Sequence, residues 1–249
     1  MHRFANPTRF LKLARAIFPW AAGLTVVLFA LGLPMALVFS PEDYQQGSTV
    51  RIMYMHVPAA WMAMFTYVMM ALSGMASLIW KHPLADVAGK AMAPIGAMFT
   101  ALTLVTGMIW GEPMWGTWWV WDARLTSMLV LLFLYLGYMA LWDAIDNSAT
   151  AGRAASILAV VGVVNIPIIK FSVDWWNTLH QPASVIRMDG PTIDASMLWP
   201  LAVMFFAFKA YFVTLLIWRM RTELQARKIR ALEDVVVRRA ELNKVEGRA

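Results

Sequence analysis

Six long runs of apolar residues, almost free of charge, limit what this chain can fold into. They cover residues 18–39, 58–80, 91–110, 126–142, 154–169 and 197–218. A helix needs roughly 20 such residues to cross the hydrocarbon core of a bilayer. Gly, Pro and charged residues cluster between the runs, which predicts six separate elements. The sequence therefore predicts an all-α, polytopic membrane protein built as a six-transmembrane-helix bundle.

The composition excludes several classes of protein. Only 14% of the 249 residues are charged, against about 25% in soluble domains, and the loops leave no room for a large soluble catalytic domain. The chain has no cysteine, so it cannot offer a thiol nucleophile, a disulfide, an iron–sulfur ligand or a covalent haem attachment. The sequence requires no covalent catalysis, and we expect a binding or transfer protein rather than an enzyme.

The basic residues predict one orientation in the membrane. Of the 21 Lys and Arg residues, 16 lie in the two tails and in the loops on the same side as the tails. The other side carries Arg51, Arg124, Lys170 and Arg187. Because cytoplasmic loops are enriched in Lys and Arg, both termini are predicted to be cytoplasmic. The loops at 40–57, 111–125 and 170–196 then face outwards, and the net charge of +6 reflects topology rather than nucleic-acid binding.

The predicted organisation is a cytoplasmic tail at 1–17, a membrane domain at 18–218 and a basic tail at 219–249. The second tail has an amphipathic helical pattern. This pattern favours a helix on the membrane surface, and docking onto a cytoplasmic partner subunit is the alternative.

Tryptophan is concentrated on the outward side of the predicted bundle. Four of the 13 tryptophans fall within seven residues, namely Trp115, Trp118, Trp119 and Trp121. An aromatic belt at the membrane interface would not by itself crowd them in this way. The cluster favours a binding surface for a flat apolar molecule, although an interfacial helix packed for stability is the alternative.

Two histidines flank predicted spans on this same side. His56 precedes the second span, and His180 lies in the last outward loop. A single histidine is more often a hydrogen-bonded interface residue than a ligand. Two histidines without cysteine or clustered carboxylates suit axial ligation of a haem iron better than zinc, which takes three or four protein ligands.

Three charged residues near these groups are candidates for the same site. Arg51 and Arg124 are positioned to pair with haem propionates, although Arg124 has the alternative of extending to the interface at the start of the fourth span. Asp122 is predicted to order the loop at 111–125 that carries the tryptophans (the tryptophan loop), to act as the N-cap of the fourth span, or both.

Lys209 lies near the middle of the sixth span, where a charge costs at least about 2.5 kcal/mol. Contact with a partner subunit, or extension of its side chain to the interface, is favoured over a transport path.

Two other functions are compatible with a membrane bundle of this kind. An electron-transfer b-type cytochrome usually has its histidines within the spans. A small-solute transporter places polar groups at the midplane. Both remain alternative functions.

Several stretches resemble one known family. WGTWWVWDARLTS (115–127) is similar to the WWD signature of haem-handling membrane proteins in cytochrome c maturation. The stretches PEDYQQG, RIMYMHVPAAW, MAPIGAMFT and GVVNIPIIKFSVDWWNTLHQ resemble the CcmC branch, haem exporter protein C of system I. The resemblance covers most of residues 41–181.

This resemblance implies a bacterial inner-membrane protein with a periplasmic WWD segment, here residues 110–127. It implies a b-type haem, transiently bound and ligated by two histidines, matched here by His56 and His180. From the sequence itself, the predicted cofactor-binding residues are the four clustered tryptophans with Asp122, Arg51 and Arg124. The resemblance also implies association with the ABC-type complex CcmA/CcmB and the small subunit CcmD, and delivery of haem to the periplasmic chaperone CcmE.

Overall fold

A computed structural model describes residues 6–180, 184–185 and 187–246, without the side chains at 240–242 and 244–246. The first five and the last three residues, and the parts of the predicted tails that fall on them, therefore lie outside the described residues. The helices are α1 (Pro7–Pro34), α2 (Met53–Trp80), α3 (Ala85–Trp115), α4 (Ala123–Ala144), α5 (Ser148–Gly162), α6 (Asn165–Trp175) and α7 (Ala195–Glu246). A π-helical turn, Met35–Phe39, extends α1, and a 3-10 helix, Ser48–Ile52, leads into α2.

The predicted six-helix membrane bundle is confirmed. The segments long and apolar enough to cross a membrane are Pro7–Phe39, Ser48–Trp80, Ala85–Trp115, Ala123–Ala144, Ser148–Trp175 and Ala195–Arg239. All are longer than the apolar runs of the sequence. For example, α1 begins at Pro7 rather than at residue 18, because the Asn6 side chain accepts hydrogen bonds from the N–H groups of Thr8 and Arg9. Such a cap with Pro at the first helical position is a strong helix start.

The fifth crossing is made of two helices rather than one. α5 ends at Gly162 and α6 begins at Asn165. Pro167 has no N–H to donate to the carbonyl of Val163, so regular α-helical bonding is interrupted there. The Ile166 N–H instead donates to that carbonyl over 3.0 Å. The Asn165 side-chain amide donates to the Ser127 carbonyl over 2.8 Å, which ties the break to α4.

The centre of the bundle is formed by α2, which packs against α3, α5 and α7, while α1 lies mainly against α7. Tyr67 and Tyr135 are fully buried, with their ring centroids 5.1 Å apart in an edge-to-face contact. The Tyr135 hydroxyl donates to the Ala63 carbonyl over 2.8 Å and so links α4 to α2. These contacts set the positions of the helix ends that carry the site.

The last helix continues through residue 218 without a break and therefore includes most of the predicted basic tail. Its 52 residues span about 78 Å. An ion-pair cluster on its extension joins Arg227 to Asp86 at 2.7 Å and to Glu223 at 2.8 Å. Within the span, the Lys209 amine lies 3.2 Å from the centroid of the Phe65 ring. This cation–π contact offsets part of the cost of the intramembrane charge.

Candidate functional site

A cavity of about 450 Å³ lies among α2, α3, α4, α6 and the loop after α6. This volume is within the range of small-molecule and cofactor sites. The side chains that line it include both predicted iron ligands, His56 and His180, together with Trp61, Trp110, Trp115 and Arg124. The structure therefore brings two histidines that are far apart in sequence to one cavity.

His56 is held by α3. Its Nδ1 lies 3.0 Å from the Thr106 hydroxyl, and its ring makes an edge-to-face contact with Trp110 at 5.7 Å. The close approach of the ring to α3 depends on Gly107, because a Cβ at that position would lie 3.1 Å from His56 Cε1. The Trp110 indole N–H donates to the Gln46 side chain over 2.9 Å, which closes this wall of the cavity.

His180 is held by the start of α4. Its Nδ1 lies 3.1 Å from an Asp122 carboxylate oxygen, and its ring packs edge-on against Trp115 with centroids 4.9 Å apart. Asp122 also accepts from the Leu125 N–H over 2.7 Å, so its predicted N-cap role is confirmed. The Thr178 hydroxyl donates to the same carboxylate.

Burial and hydrogen bonding shift the pKa of Asp122 in opposite directions, and the same is true of His180. Burial acts to raise the pKa of Asp122, but hydrogen bonds from Thr178, Leu125 and His180 outweigh it and hold that pKa below its usual value. Burial lowers the pKa of His180, although the hydrogen bond to Asp122 opposes that change. At neutral pH the pair is therefore a neutral imidazole that donates to an ionised carboxylate.

The clustered tryptophans divide into two groups. Trp115 lines the cavity, whereas Trp118, Trp119 and Trp121 are not among its lining residues in the described part of the chain. Trp118 is 55% exposed and Trp121 is 76% exposed. Trp119 is half-buried and packs edge-on against Trp121 at 5.4 Å. The end of α3 thus presents Trp115 to the cavity, and the loop that follows presents Trp118 and Trp121 to the surroundings.

Of the two arginines predicted to pair with haem propionates, only one lies at the cavity. Arg124 lines the cavity, and its guanidinium donates to the Ser172 hydroxyl over 3.2 Å. Arg51 is not a lining residue among those described and donates to the Ser40 carbonyl over 3.2 Å. Lys170 lines the cavity close to Arg124, which donates to the Lys170 carbonyl over 3.4 Å. Among the described residues, the cations at the cavity are therefore Arg124 and Lys170.

Sequence reasoning missed the side chains that orient the histidines. Thr106 lies outside the stretches that resemble the family, whereas Gln46 and Thr178 lie inside them but had no predicted role. A signal did exist in the third span, where Thr103, Thr106 and Trp110 recur at helical spacing on one face. Asp122 was predicted as a site residue, but its hydrogen bond to His180 was not.

Comparison with known proteins identifies the family. The model of the CcmC family, described as "Heme exporter protein C", matches residues 1–235. Proteins of that name are 58% identical in Bradyrhizobium diazoefficiens over 92% of this chain and 87% of the relative, and 50% identical in Escherichia coli K12 over 89% of each. The protein of that name from Paracoccus denitrificans is 43% identical over 92% of this chain and 95% of its own length. The chain therefore belongs to the CcmC family of haem exporter proteins.

Proposed function

We propose that this chain binds haem in the cavity between His56 and His180 and delivers it to the periplasmic chaperone CcmE for cytochrome c maturation. The site is periplasmic, and the chain spans the bacterial inner membrane with both termini in the cytoplasm. The basic-residue distribution supports this orientation. The relatives are named "Heme exporter protein C", which supports haem as the cargo.

The observation that carries the proposal is the arrangement of the two histidines. Both line one cavity, and both have Nδ1 next to an oxygen acceptor, Thr106 for His56 and Asp122 for His180. When Nδ1 carries the proton, Nε2 has the lone pair that binds a metal. Histidine ligands of metals are usually held in this way through their second nitrogen. The pair therefore fits bis-histidine ligation of a b-type haem.

The remaining wall of the cavity suits the rest of a haem molecule. Trp61, Trp110 and Trp115 offer apolar surface to a porphyrin, and Arg124 and Lys170 offer cations to its propionates. Arg51 is retained as a weaker propionate candidate, since its guanidinium is directed to the Ser40 carbonyl. The protein need not make or break a covalent bond, and no enzymatic activity is proposed.

The exposed side of the tryptophan loop supports delivery rather than permanent retention. Trp118 and Trp121 leave large aromatic surfaces uncovered next to the cavity wall formed by Trp115. Exposed aromatic rings of this kind often dominate binding to a partner. We propose that CcmE docks there, and that CcmA/CcmB and CcmD are the membrane partners of the chain.

Spectra of purified variants test the haem site. His56→Ala and His180→Ala should each lose co-purified haem and change the Soret band, and added imidazole should restore part of it by occupying the vacated position. His82→Ala is the matched control, because His82 lies in the short turn between α2 and α3, away from the cavity. Unchanged spectra in both cavity variants would remove them as ligands.

Haem transfer to purified CcmE tests delivery against a b-type electron carrier that keeps its haem. Trp118→Ala and Trp121→Ala together should slow transfer by about 30-fold, the equivalent of about 2 kcal/mol at an interface, while haem remains bound. Trp115→Ala should instead weaken haem binding itself. Trp20→Ala, also at an exposed tryptophan, serves as the control. Normal transfer by the stable double variant would assign the loop to the membrane interface instead.

A further inference from the structure

The two histidines of the cavity are held by acceptors of different charge. Thr106 accepts from His56 as a neutral hydroxyl. Its own hydrogen is directed to the Leu102 carbonyl at 2.6 Å, with the Thr103 carbonyl at 3.2 Å. Because carbonyl oxygens only accept, the hydroxyl must receive a hydrogen from His56 Nδ1 over 3.0 Å. The proton of His56 is thereby assigned to Nδ1.

On the other side of the cavity the acceptor is a carboxylate. An ionised carboxylate only accepts, so His180 Nδ1 must donate to Asp122 over 3.1 Å. Only 7% of the Asp122 side chain and 19% of the His180 side chain are exposed, which limits screening by water. The Leu125 N–H and the Thr178 hydroxyl fix the orientation of the carboxylate.

A carboxylate behind a histidine makes the imidazole a stronger electron donor to a metal, since it stabilises positive charge on the ring. A neutral hydroxyl whose hydrogen is already used does this less. We infer that Asp122 and Thr106 are positioning residues that make the two haem ligands unequal, with His180 the stronger donor and His56 the one that an incoming ligand replaces. This inference rests on the proposed ligation of haem by both histidines.

Unequal ligands suit a site that must both collect and release its cargo. Two equally strong ligands would hold the iron from both sides until both bonds had weakened. With one weaker ligand, a competing donor needs to displace only His56 to begin the exchange. The difference between Thr106 and Asp122 provides this asymmetry within one cavity.

The test uses the full chain loaded with haem in detergent. Asp122→Asn removes the charge and keeps the N-cap, because Asn caps helices as well as Asp. Its NH₂ group then replaces the oxygen that accepts from His180 Nδ1, so the charge and this hydrogen bond are lost together. The reduction potential of this variant should rise by at least 59 mV, the equivalent of a tenfold weaker preference for ferric over ferrous iron. Thr106→Val should leave the potential almost unchanged but speed the replacement of His56 by carbon monoxide several-fold. Thr106→Ser, which keeps the hydroxyl, should restore the slower exchange.

Resonance Raman spectroscopy gives a second measurement. After photolysis of the carbon monoxide complex of the reduced protein, the iron–histidine band should belong to His180. It should therefore shift in Asp122→Asn and not in Thr106→Val. If Asp122→Asn does not fold, Thr178→Val is informative, because removal of the hydroxyl that donates to Asp122 leaves more negative charge facing His180. The potential should then fall.

The outcomes separate this inference from the proposed function. An unchanged potential in Asp122→Asn, or a band that shifts only with Thr106→Val, would overturn the inference while ligation by both histidines still stood. If both His56→Ala and His180→Ala kept an unchanged Soret band, the proposed haem site itself would be overturned.

Discussion

The short distance between the His56 ring and the backbone of α3 depends on one residue, Gly107. A Cβ at Gly107 would lie 3.1 Å from His56 Cε1 and 3.6 Å from Nδ1, the nitrogen that contacts the Thr106 hydroxyl. Any side chain there would push the imidazole away from its hydroxyl acceptor. Gly107 therefore controls the orientation of His56 without being a ligand.

Gly107→Ala should weaken haem binding several-fold while the protein folds at least as well as before. Alanine in a helix interior is favoured over glycine by roughly 0.5–1 kcal/mol, so a loss of binding would come from the displaced ring. Haem titration of the purified protein, followed by the Soret band, measures the affinity, and thermal denaturation measures stability. Gly23→Ala is the control, because a Cβ at Gly23 meets no atom within 4 Å. Equal haem affinity in the two variants would contradict the role of Gly107.

Some residues of the site can be predicted from the sequence, and others cannot. His56, His180, Trp115 and Arg124 were predicted because rare residue types on one side of the membrane indicate chemistry, and all four line the cavity. Thr106 was missed because a threonine in a transmembrane helix is common. Its partner lies 50 positions away along the chain, and only packing of α2 on α3 brings the two together.

At the scale of helices, apolar runs predict that a span exists but not where its helix ends. Hydropathy marks the part of a helix inside the hydrocarbon, whereas capping decides its ends. The third run stops at residue 110, but α3 continues to Trp115 and ends where Gly116 adopts φ 71°. This left-handed conformation costs glycine little and is a common helix end. The extra turn matters because it carries Trp115 into the cavity wall.

The extension of α7 is attached to the bundle by a few ion pairs. Arg227 contacts Asp86 and Glu223, and it also lies 5.6 Å from the centroid of the Trp142 ring. Lys90 adds a contact to Glu223 at 3.3 Å. This cluster connects the start of α3, the extension of α7 and the end of α4.

Arg227→Ala should lower the free energy of unfolding in detergent by about 2 kcal/mol, the usual size for hydrogen bonds between charged groups. The loss should be much smaller for Arg230→Ala, whose side chain is 58% exposed and lies 3.6 Å from Glu223. Asp86→Ala combined with Arg227→Ala should cost little more than Arg227→Ala alone, because the contact of Asp86 with Arg227 is already lost in that variant. Strictly additive losses would show that the contact between them contributes nothing.

Across the whole molecule, the cavity that contains His56 and His180 and the ion-pair cluster lie at opposite ends of α3. Asp86 lies in the first turn of that helix, and Trp110, in the cavity wall, lies near its end. Their separation of 24 positions corresponds to a rise of about 36 Å along the helix, which exceeds the roughly 30 Å of hydrocarbon in a bilayer. We therefore expect the cavity and the cluster to face different sides of the membrane.

Fusion reporters decide which side is which. Reporters placed after Gly116 or Asp189, in the loops on the cavity side, should report the periplasm, and those after Pro83 or Ala249 should report the cytoplasm. The reason is the uneven distribution of Lys and Arg, with 16 on the side of Pro83 and four on the side of the cavity. This expectation is independent of the family comparison. The reverse pattern would place His56, His180 and the exposed tryptophans in the cytoplasm, where a periplasmic chaperone could not reach them.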